Sequence, residues 1–392
     1  MGSYTGAIVS MLCGALNLVG GGGPAAAIEF NTVKIANCST SGDAQQCLQT
    51  FFNSGTAADT YYIPPGTYTH SGALFFQGRV VGAGAGTTTL LGSDPTNRAV
   101  ATVVSGSSLS EMSISSTASV RYTTPQSTAV YVGSAVTNFE VSYLEVYGNG
   151  GSAGIFIYGG SNGKIHHNYI HNTNADCIHN TQGAHDIEIW DNVVDHCGDD
   201  SVAMIGYSAD SMPYNINIHN NTATNQDWGR GYSCVGARNA VIQNNYFSTS
   251  GAGGAGIYAA SEPNNGGVPC HDLLIAGNTV KYAGNLPLGQ SAILLANGSG
   301  DPNFRNITVT GNLGYQPRIG WFIGLLYTNM ASVTVANNVS YQDTGGAVYL
   351  GSPVSGLTNT KNTVQPSANY PGDMVHADSP AILAGGRANL TQ

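Results

Sequence analysis

The stretch Ile187-Glu-Ile-Trp-Asp-Asn192 decides the fold, because its pattern, apolar-x-apolar-x-x-Asn, recurs along the chain. Two clear copies are Ile216-Asn-Ile-His-Asn-Asn221 and Val333-Thr-Val-Ala-Asn-Asn338. From about residue 137 onward, the recurring position is held by Asn168, Asn192, Asn221, Asn245, Asn278, Asn312, Asn338 and Asn362. The spacings between successive asparagines are uneven: the shortest, from Asn168 to Asn192, recurs, and the others are longer. A second short apolar stretch follows each asparagine.

A period of about 24 residues predicts a parallel β-helix, a solenoid in which each coil holds two or three short strands. Alternating apolar and polar residues turn one side chain inward and the next toward solvent. A β-propeller blade needs about 40 residues or more, which exceeds every spacing. Asn suits the turn because it tolerates left-handed backbone angles, and its amide can hydrogen-bond to the equivalent Asn of the next coil. Longer spacings indicate insertions, which we expect to form loops beside a binding groove.

The composition narrows the class of protein. Charged residues make up 9% of the 392 residues, too few for helical bundles or coiled coils. Nucleic acid is not expected as a partner, because phosphate binding needs clustered Lys and Arg, and the chain has 12 of them with a net charge of −10. No stretch predicts a membrane-spanning helix. A surface rich in amide, hydroxyl and aromatic groups favours a polysaccharide partner.

The N-terminal segment differs from the rest of the chain. Residues 7–27 form an apolar, uncharged run that ends in Pro24-Ala-Ala-Ala27. The run resembles a signal-peptide core with a small-residue cleavage site, although no basic residues precede it. The alternative is a segment that caps the first coil. We therefore predict a signal-like or capping segment over residues 1–36 and a catalytic β-helix domain over residues 37–392.

The cysteines favour an oxidising compartment and thus a secreted protein. None of the seven forms a CxxC pair, so a zinc ribbon is not expected. Cys38 and Cys47 are close enough in sequence for a local disulfide. Cys177 and Cys197 lie in neighbouring coils, but their different offsets from the repeated Asn leave their pairing open.

Three carboxylates are predicted to meet on neighbouring coils. Asp176 lies eight residues after Asn168, and Asp200 lies eight residues after Asn192. Equal offsets place the two side by side, about 4.8 Å apart, with Asp199 adjacent. Like charges raise the pKa of at least one carboxyl, which gives the acid and the base that glycoside hydrolysis needs. A calcium site and a solvated turn are the alternatives; no other cofactor is predicted.

Substrate contacts are predicted around this trio. Aromatic faces stack on sugar rings, so Trp190, Trp228 and Tyr258 are candidate subsite walls, with packing or simple exposure as the alternative. His179 follows Asp176 by three residues and is expected to border the cleft. A histidine-based zinc site is not favoured, because the neighbours His166 and His167 point to opposite faces of a strand.

Two motifs give the chain a resemblance to a known group of enzymes. Tyr62-Ile-Pro-Pro-Gly-Thr-Tyr68 resembles the opening segment of pectin-lyase-like, right-handed β-helix proteins. Asn174-Ala-Asp-Cys-Ile178 and Gly198-Asp-Asp-Ser-Val-Ala203 resemble the Asn-Thr-Asp-Gly-Ile and Gly-Asp-Asp-Cys-Ile-Ala motifs of polygalacturonases, which are related to dextranases and α-1,3-glucanases. The resemblance implies a single-stranded right-handed β-helix and an inverting hydrolysis. It implies Asp199 as the general acid, with Asp176 and Asp200 activating water.

Two departures from the family pattern bear on the substrate. The family's Gly-His-Gly falls at Gly229-Arg-Gly231, and its Arg-Ile-Lys falls at Ile257-Tyr-Ala259, which has no cation. A neutral or non-galacturonan glycan is therefore expected, with Arg230 as a sugar contact. A lyase or epimerase acting on a uronate, with Arg230 and Lys164 as cations, is the alternative enzyme. A non-catalytic glycan-binding surface or spike protein is the third hypothesis, and the oligomeric state stays open.

Overall fold

The computed structural model describes residues 32–372, apart from residue 103 and residues 122–126, 149–151, 250–252, 286 and 343–344. The apolar run over residues 7–27 and Cys13 lie outside the described residues. The first described strand, Val33–Ile35, pairs in parallel with Thr60–Tyr62, so the solenoid begins slightly before residue 37.

The described chain winds into two parallel sheets, one of 11 strands and one of 23 strands. Each strand pairs in parallel with the equivalent strands of the coils before and after it. One coil, for example, holds Ser161–His166, Tyr169–Thr173 and Asp176–Thr181. The prediction of an all-β, parallel β-helix is confirmed.

The smaller sheet contains the strands that adjoin the acidic motifs. The strands of this 11-stranded sheet are Leu74–Phe76, Val100–Thr102, Thr128–Val132, Ala153–Tyr158, Asp176–Thr181, Val202–Ile205, Tyr232–Val235, Ile257–Ser261, Ile293–Asn297, Trp321–Leu326 and Gly346–Leu350.

The larger sheet runs in two rows that are joined by two long strands, Ser108–Ser116 and Thr137–Tyr147. The other strands of its first row are Val33–Ile35, Thr60–Tyr62, Arg79–Val81, Ser161–His166, His185–Trp190, Tyr214–His219, Arg238–Gln243, His271–Ala276, Arg305–Thr310, Ala331–Ala336 and Thr358–Thr360. Those of its second row are Gly66–His70, Thr88–Gly92, Tyr169–Thr173, Val193–Cys197, Thr222–Thr224, Tyr246–Ser248, Thr279–Lys281, Leu313–Tyr315, Val339–Tyr341 and Thr363–Gln365.

The core consists of stacked aliphatic side chains. In the motif strand His185–Trp190, Ile187 and Ile189 are buried while Glu188 between them is partly exposed, as the period-2 pattern predicts. The register places equivalent residues of successive coils in one column: Ile165, Ile189, Ile218, Ile242, Ile275, Val309 and Val335. Full burial of each such side chain stabilises the fold by about 1.5–3 kcal/mol relative to exposure.

The recurring asparagines form a ladder of hydrogen bonds, as predicted. Asn168 Nδ2 donates to Asn192 Oδ1 at 2.9 Å. The same bond links every successive pair as far as Asn362, at 2.8–3.1 Å. One detail is corrected, because the left-handed backbone angle belongs to the preceding residue, such as His167 with φ of 54° and Asp191 with φ of 50°. That turn directs the asparagine side chain inward, where it is buried.

A short α-helix, Gln45–Asn53, packs at the N-terminal end of the described solenoid. The sequence reasoning did not predict it. Its buried Leu48 and Phe52 join the core, and the Phe52 ring lies 5.9 Å from that of Tyr61. The predicted Cys38–Cys47 disulfide ties this helix to the chain that enters it.

Two further disulfides link neighbouring coils. Cys177 is bonded to Cys197, which settles the pairing that the sequence left open. Cys234 is bonded to Cys270, a pair that was not predicted. The first of these bonds flanks the acidic motifs, since Cys177 directly follows Asp176. In the described part of the chain, none of the helices has the length and apolar character to span a membrane.

Candidate active site

The three aspartates meet as the repeat predicts. The strands Asp176–Thr181 and Val202–Ile205 pair with Ile178 opposite Val202, which brings Asp176 level with Asp200. One carboxylate oxygen from each of Asp176, Asp199 and Asp200 lies within 4.8 Å of the others. All three side chains are buried. Their stacking is therefore confirmed, whereas their chemical roles stay predictions.

Asp176 is held as a hydrogen-bond acceptor at both oxygens. The Asp200 backbone N–H donates to its Oδ1 at 2.8 Å, and His179 Nδ1 donates to its Oδ2 at 2.5 Å. The His179 ring stacks on Phe156, with centroids 4.7 Å apart and planes 9° apart. Its Nε2 is buried without a hydrogen-bond partner among the described residues, although His179 lines the cleft. His179 thus borders the cleft as predicted, and its buried Nε2 has no partner among the described residues.

Asp199 is the carboxyl that retains a proton. Burial, together with the charges of Asp200 and Asp176, raises its pKa to about 8. Arg121 opposes this shift, since its Nη2 lies 2.5 Å from Asp199 Oδ2. The balance leaves Asp199 largely protonated at neutral pH, which is what a general acid requires.

Sequence reasoning missed Arg121, because this residue precedes the regular repeat. Asn174 provides the local reason for its position. Its Nδ2 donates to the carbonyl oxygens of Ala118 and Val120 at 3.3 and 3.2 Å, which ties the segment before Arg121 to the coil of the trio.

Asp200 lies deepest in the site. It accepts hydrogen bonds from the Arg230 backbone N–H at 2.7 Å and from Ser233 Oγ at 2.5 Å. Burial raises its pKa to about 6, with Asp176 adding to the shift and Arg230 and Ser233 opposing it. Asp200 is therefore mostly ionised at neutral pH, beside an acid that is not.

Arg230 is engaged with the protein on several sides. Its Nη1 lies 3.9 Å from Asp200 and its Nη2 lies 3.2 Å from Glu262 Oε1. Its guanidinium carbon sits 4.4 Å above the Tyr258 ring. Tyr258 is only 7% exposed. The prediction that Tyr258 stacks on a sugar is therefore corrected, because Arg230 already occupies its ring face.

The trio lies in an open cleft of about 540 Å³ on the outer side of the 11-stranded sheet. Trp228 lines this cleft and is 58% exposed, as a subsite wall requires. Trp190 does not reach the cleft. It stands on the 23-stranded sheet and stacks on His166, with centroids 4.2 Å apart, so its predicted role as a wall of this site is corrected.

The insertions contribute to the cleft, as the longer spacings indicated. Tyr207 belongs to the loop with the 3₁₀ turn Ala209–Ser211, in the longer spacing between Asn192 and Asn221. It is 47% exposed and lines the cleft, although the sequence reasoning did not single it out. Glu262 and the turn Pro263–Asn265 lie in another long spacing, between Asn245 and Asn278. Burial and the nearby charge of Asp176 raise the pKa of Tyr207 to about 12, so its hydroxyl keeps its proton.

The trio is also, among the described residues, the one group of acidic, histidine or cysteine side chains close enough to share a metal ion. Carboxylate oxygens suit calcium. However, Arg121 contacts Asp199, and N–H or O–H donors already occupy oxygens of Asp176 and Asp200. A cation at this point would compete with a guanidinium. The arrangement fits a shared proton better than calcium.

Comparison with known proteins agrees with this fold. Residues 98–266 and 153–340 match the family model described as the right handed beta helix region, and together they span more than half of the chain. No curated protein matches the chain in sequence.

Several solved structures share the architecture. The catalytic unit of a thermostable GH87 α-1,3-glucanase from Streptomyces thermodiastaticus has a TM-score of 0.65 at 16% identity, over 86% of this chain and 70% of that one. A GH87 α-1,3-glucanase catalytic domain in complex with nigerose has a TM-score of 0.64 at 19% identity, over 88% and 69%. The A-module of the mannuronan C-5 epimerase AlgE6 from Azotobacter vinelandii has 0.61 at 14%, over 84% and 98%. At these identities the likeness concerns the fold.

Proposed function

The chain belongs to the right-handed β-helix family, and from that premise we propose that it is a secreted glycoside hydrolase of a neutral polysaccharide. Its proposed catalytic residues are Asp176, Asp199 and Asp200. One observation carries the proposal. Asp199, whose pKa is raised to about 8, lies in an open cleft within 4.8 Å of two carboxylates that accept hydrogen bonds. An acid beside two bases is the equipment of glycosidic bond hydrolysis.

The proposed reaction uses Asp199 as the acid and the other two carboxylates to activate water. Asp199 donates its proton to the glycosidic oxygen as the bond from that oxygen to the anomeric carbon breaks. A water molecule attacks the anomeric carbon and passes a proton to Asp176 or Asp200. Two oxygens up to about 5.6 Å apart can share one water through hydrogen bonds of about 2.8 Å. Asp176 and Asp200 meet that condition, which supports activation of one water molecule by these two carboxylates.

The spacing of the trio gives further support. Structures of a GH87 α-1,3-glucanase catalytic domain include three single aspartate-to-alanine variants in complex with nigerose or tetrasaccharides. The second and third replaced aspartates are adjacent in sequence. They follow the first at the same two intervals by which Asp199 and Asp200 follow Asp176 in this chain. An α-glucan is therefore the first substrate to test.

The charges of the cleft favour a neutral sugar. Arg121 is paired with Asp199, and Arg230 is paired with Asp200 and Glu262. Four acidic side chains line the cleft against these two guanidiniums, which disfavours a uronate carboxylate. The exposed rings of Trp228 and Tyr207 instead offer apolar faces to a pyranose ring. The buried Nε2 of His179 can accept a hydrogen bond from a sugar hydroxyl.

A uronate epimerase or lyase is the second candidate. The similarity in fold to a mannuronan C-5 epimerase favours it, as do two arginines beside the trio. Such an enzyme needs a free cation for the substrate carboxylate, and Lys164 does not supply one, because it lines a different groove on the other sheet. The hydrolase remains the better-supported proposal.

Three disulfides support secretion, since such bonds persist in oxidising compartments.

One assay separates these functions. The protein is incubated with α-1,3-glucan, dextran, pectin, arabinan and alginate, and both reducing ends and ultraviolet absorbance are followed. New reducing ends without absorbance support the hydrolase, whereas absorbance of unsaturated uronates indicates a lyase. Conversion of mannuronate to guluronate, measured by NMR, indicates an epimerase. Binding without any turnover would favour the glycan-binding surface or spike protein.

A further inference from the structure

A second groove, of about 550 Å³, lies on the outer surface of the 23-stranded sheet. Among the residues that the structure describes, it shares none of its lining with the cleft. Its walls come from four successive strands: Arg79–Val81, Ser108–Ser116, Thr137–Tyr147 and Ser161–His166. The hydrolytic reaction proposed above uses no side chain from these strands.

The groove exists because two adjacent coils present small side chains where their neighbours present large ones. Ser110 and Ser142 are partners in register. On either side of this pair lie Val81 and His166. Strands are about 4.8 Å apart, so two such coils open a trough roughly 10 Å wide. The trough is a property of this chain's own serines rather than of the repeat.

The lining offers both donors and acceptors without net charge. Two cations, Arg79 and Lys164, face two carboxylates, Glu111 and Glu140. Neither the Arg79 nor the Lys164 side chain has an ion-pair or hydrogen-bond partner among the residues that the structure describes. The two glutamates would repel an anionic ligand, and the two basic groups would repel a cation. Sugar hydroxyls both donate and accept, so they satisfy such a mixed surface.

An aromatic ring at the edge of the groove is held in place before any ligand arrives. Tyr143 lines the groove and is 40% exposed. It stacks on His167 with centroids 5.0 Å apart, and the His166 ring meets it edge-on at 5.8 Å. A ring already fixed by its neighbours loses little conformational freedom on binding.

From these features we propose that the groove is a second carbohydrate-binding site, which holds a strand of the neutral glucan polymer outside the catalytic cleft. The choice of glucan rests on the proposed function. The site tethers the enzyme to the polymer, so it affects polymeric substrates and leaves short soluble ones unaffected.

The test measures binding separately from turnover. The full chain with Asp199→Asn is sedimented with insoluble α-1,3-glucan particles, and the bound fraction is measured. Adding Tyr143→Ala is expected to weaken binding about fivefold, the order of one aromatic contact. Tyr282→Ala is the matched control, because Tyr282 shares the φ of 53° found at Tyr143 and is 38% exposed. It should bind as the parent does.

A second variant and a second substrate keep the result decisive. Lys164→Met is the second variant, for use if Tyr143→Ala does not fold, and it should weaken binding to the particles in the same way. With Asp199 restored, Tyr143→Ala should hydrolyse a soluble α-1,3-linked tetrasaccharide at the parent rate. Particle binding that is absent in the parent, or equal in parent, Tyr143→Ala and Lys164→Met, overturns the second site. Failure of the unsubstituted protein to hydrolyse any glycan overturns the proposed function instead.

Discussion

The backbone N–H of Asp200 donates a hydrogen bond to the Asp176 carboxylate at 2.8 Å, so the backbone of one coil fixes a side chain of the coil before it. The position of Asp176 therefore depends on the register of the sheet as well as on its own rotamer. A register slip of one residue would turn the side chains of a strand to the opposite face. The same pairing that stabilises the fold thus positions the proposed base beside the proposed acid.

Replacing the proposed acid should remove most of the activity. Asp199→Asn is expected to lower kcat on the hydrolysed glycan by about 10²–10⁴-fold, because an amide cannot donate the proton that the leaving oxygen needs. Reducing-end formation measures the loss. Asp186→Asn, at an exposed position of the strand His185–Trp190 in the other sheet, is the control and should keep full activity. An Asp199→Asn protein as fast as the parent would contradict the assignment.

The activity should depend on pH with two limbs. Below about 6, Asp200 takes up a proton and is lost as a base, and above about 8, Asp199 loses the proton that it donates. Measured between pH 4 and pH 10, kcat/KM should therefore form a bell with limbs near these values. A profile that is flat across pH 8 would argue against Asp199 as the acid.

Removing the Arg121 guanidinium should shift only the basic limb of the pH profile. Arg121 lies 2.5 Å from Asp199 and holds its pKa below the value that burial alone would give. Arg121→Met should raise the basic limb by about one pH unit or more. Arg305→Met, outside the cleft and hydrogen-bonded to Asn303, serves as the control. An unmoved basic limb in Arg121→Met would mean that this ion pair does not tune the acid.

The raised pKa of Asp199 also affects stability. The folded protein binds this proton more tightly than the unfolded chain, whose carboxyl titrates near 3.9. The resulting stability is complete below pH 4 and is lost as the pH rises through about 8. Asp199→Asn has no carboxyl group to ionise at this position. At pH 9 it should therefore be more stable than the parent, by on the order of 1–3 kcal/mol. Thermal unfolding at pH 5, 7 and 9 measures the difference, and equal pH slopes in both proteins would rule out the effect.

Two substitutions separate the two nitrogens of His179. His179→Asn keeps an N–H near the position of Nδ1, so it can still hold Asp176, but it removes the buried, unpartnered Nε2. It should mainly raise KM. His179→Ala removes both groups and should also lower kcat by about tenfold or more, because Asp176 loses a donor. Identical kinetics in the two variants would show that His179 acts only through packing on Phe156.

Chelation should leave the enzyme active. Arg121 and the donors on Asp176 and Asp200 already compensate the negative charge of the trio. Hydrolysis in the presence of EDTA is therefore expected to stay within about twofold of the rate with added calcium. A strong loss in EDTA that calcium restores would instead identify the trio as a calcium site.

The period of the sequence was enough to predict the fold and the meeting of the aspartates. Parallel coils in register convert equal offsets from Asn168 and Asn192 into proximity, so Asp176 and Asp200 could be paired without any structure. No such offset rule locates the aromatic side chains. Trp190 was assigned by residue type, yet it belongs to the other sheet, and the Tyr258 ring is covered by Arg230.

Residues outside the repeat were the least predictable. Arg121 reaches Asp199 from a segment that precedes the regular spacing, and no local pattern marks that approach. Tyr207 lies in an insertion whose presence the spacing indicated but whose path it did not. Long-range contacts made by loops depend on tertiary packing, which a one-dimensional period does not encode.

The asparagine ladder gives the solenoid an electrical direction. Each amide nitrogen donates to the next asparagine toward the C-terminus, as Asn221 does to Asn245, and also to a backbone carbonyl of the coil before it. Each amide oxygen accepts from the asparagine of the coil before it. The side-chain dipoles are thus aligned head to tail along the axis, and each polarises the next. The column behaves as a macrodipole made of side chains instead of peptide groups, with its negative pole at the N-terminal end and its positive pole at the C-terminal end.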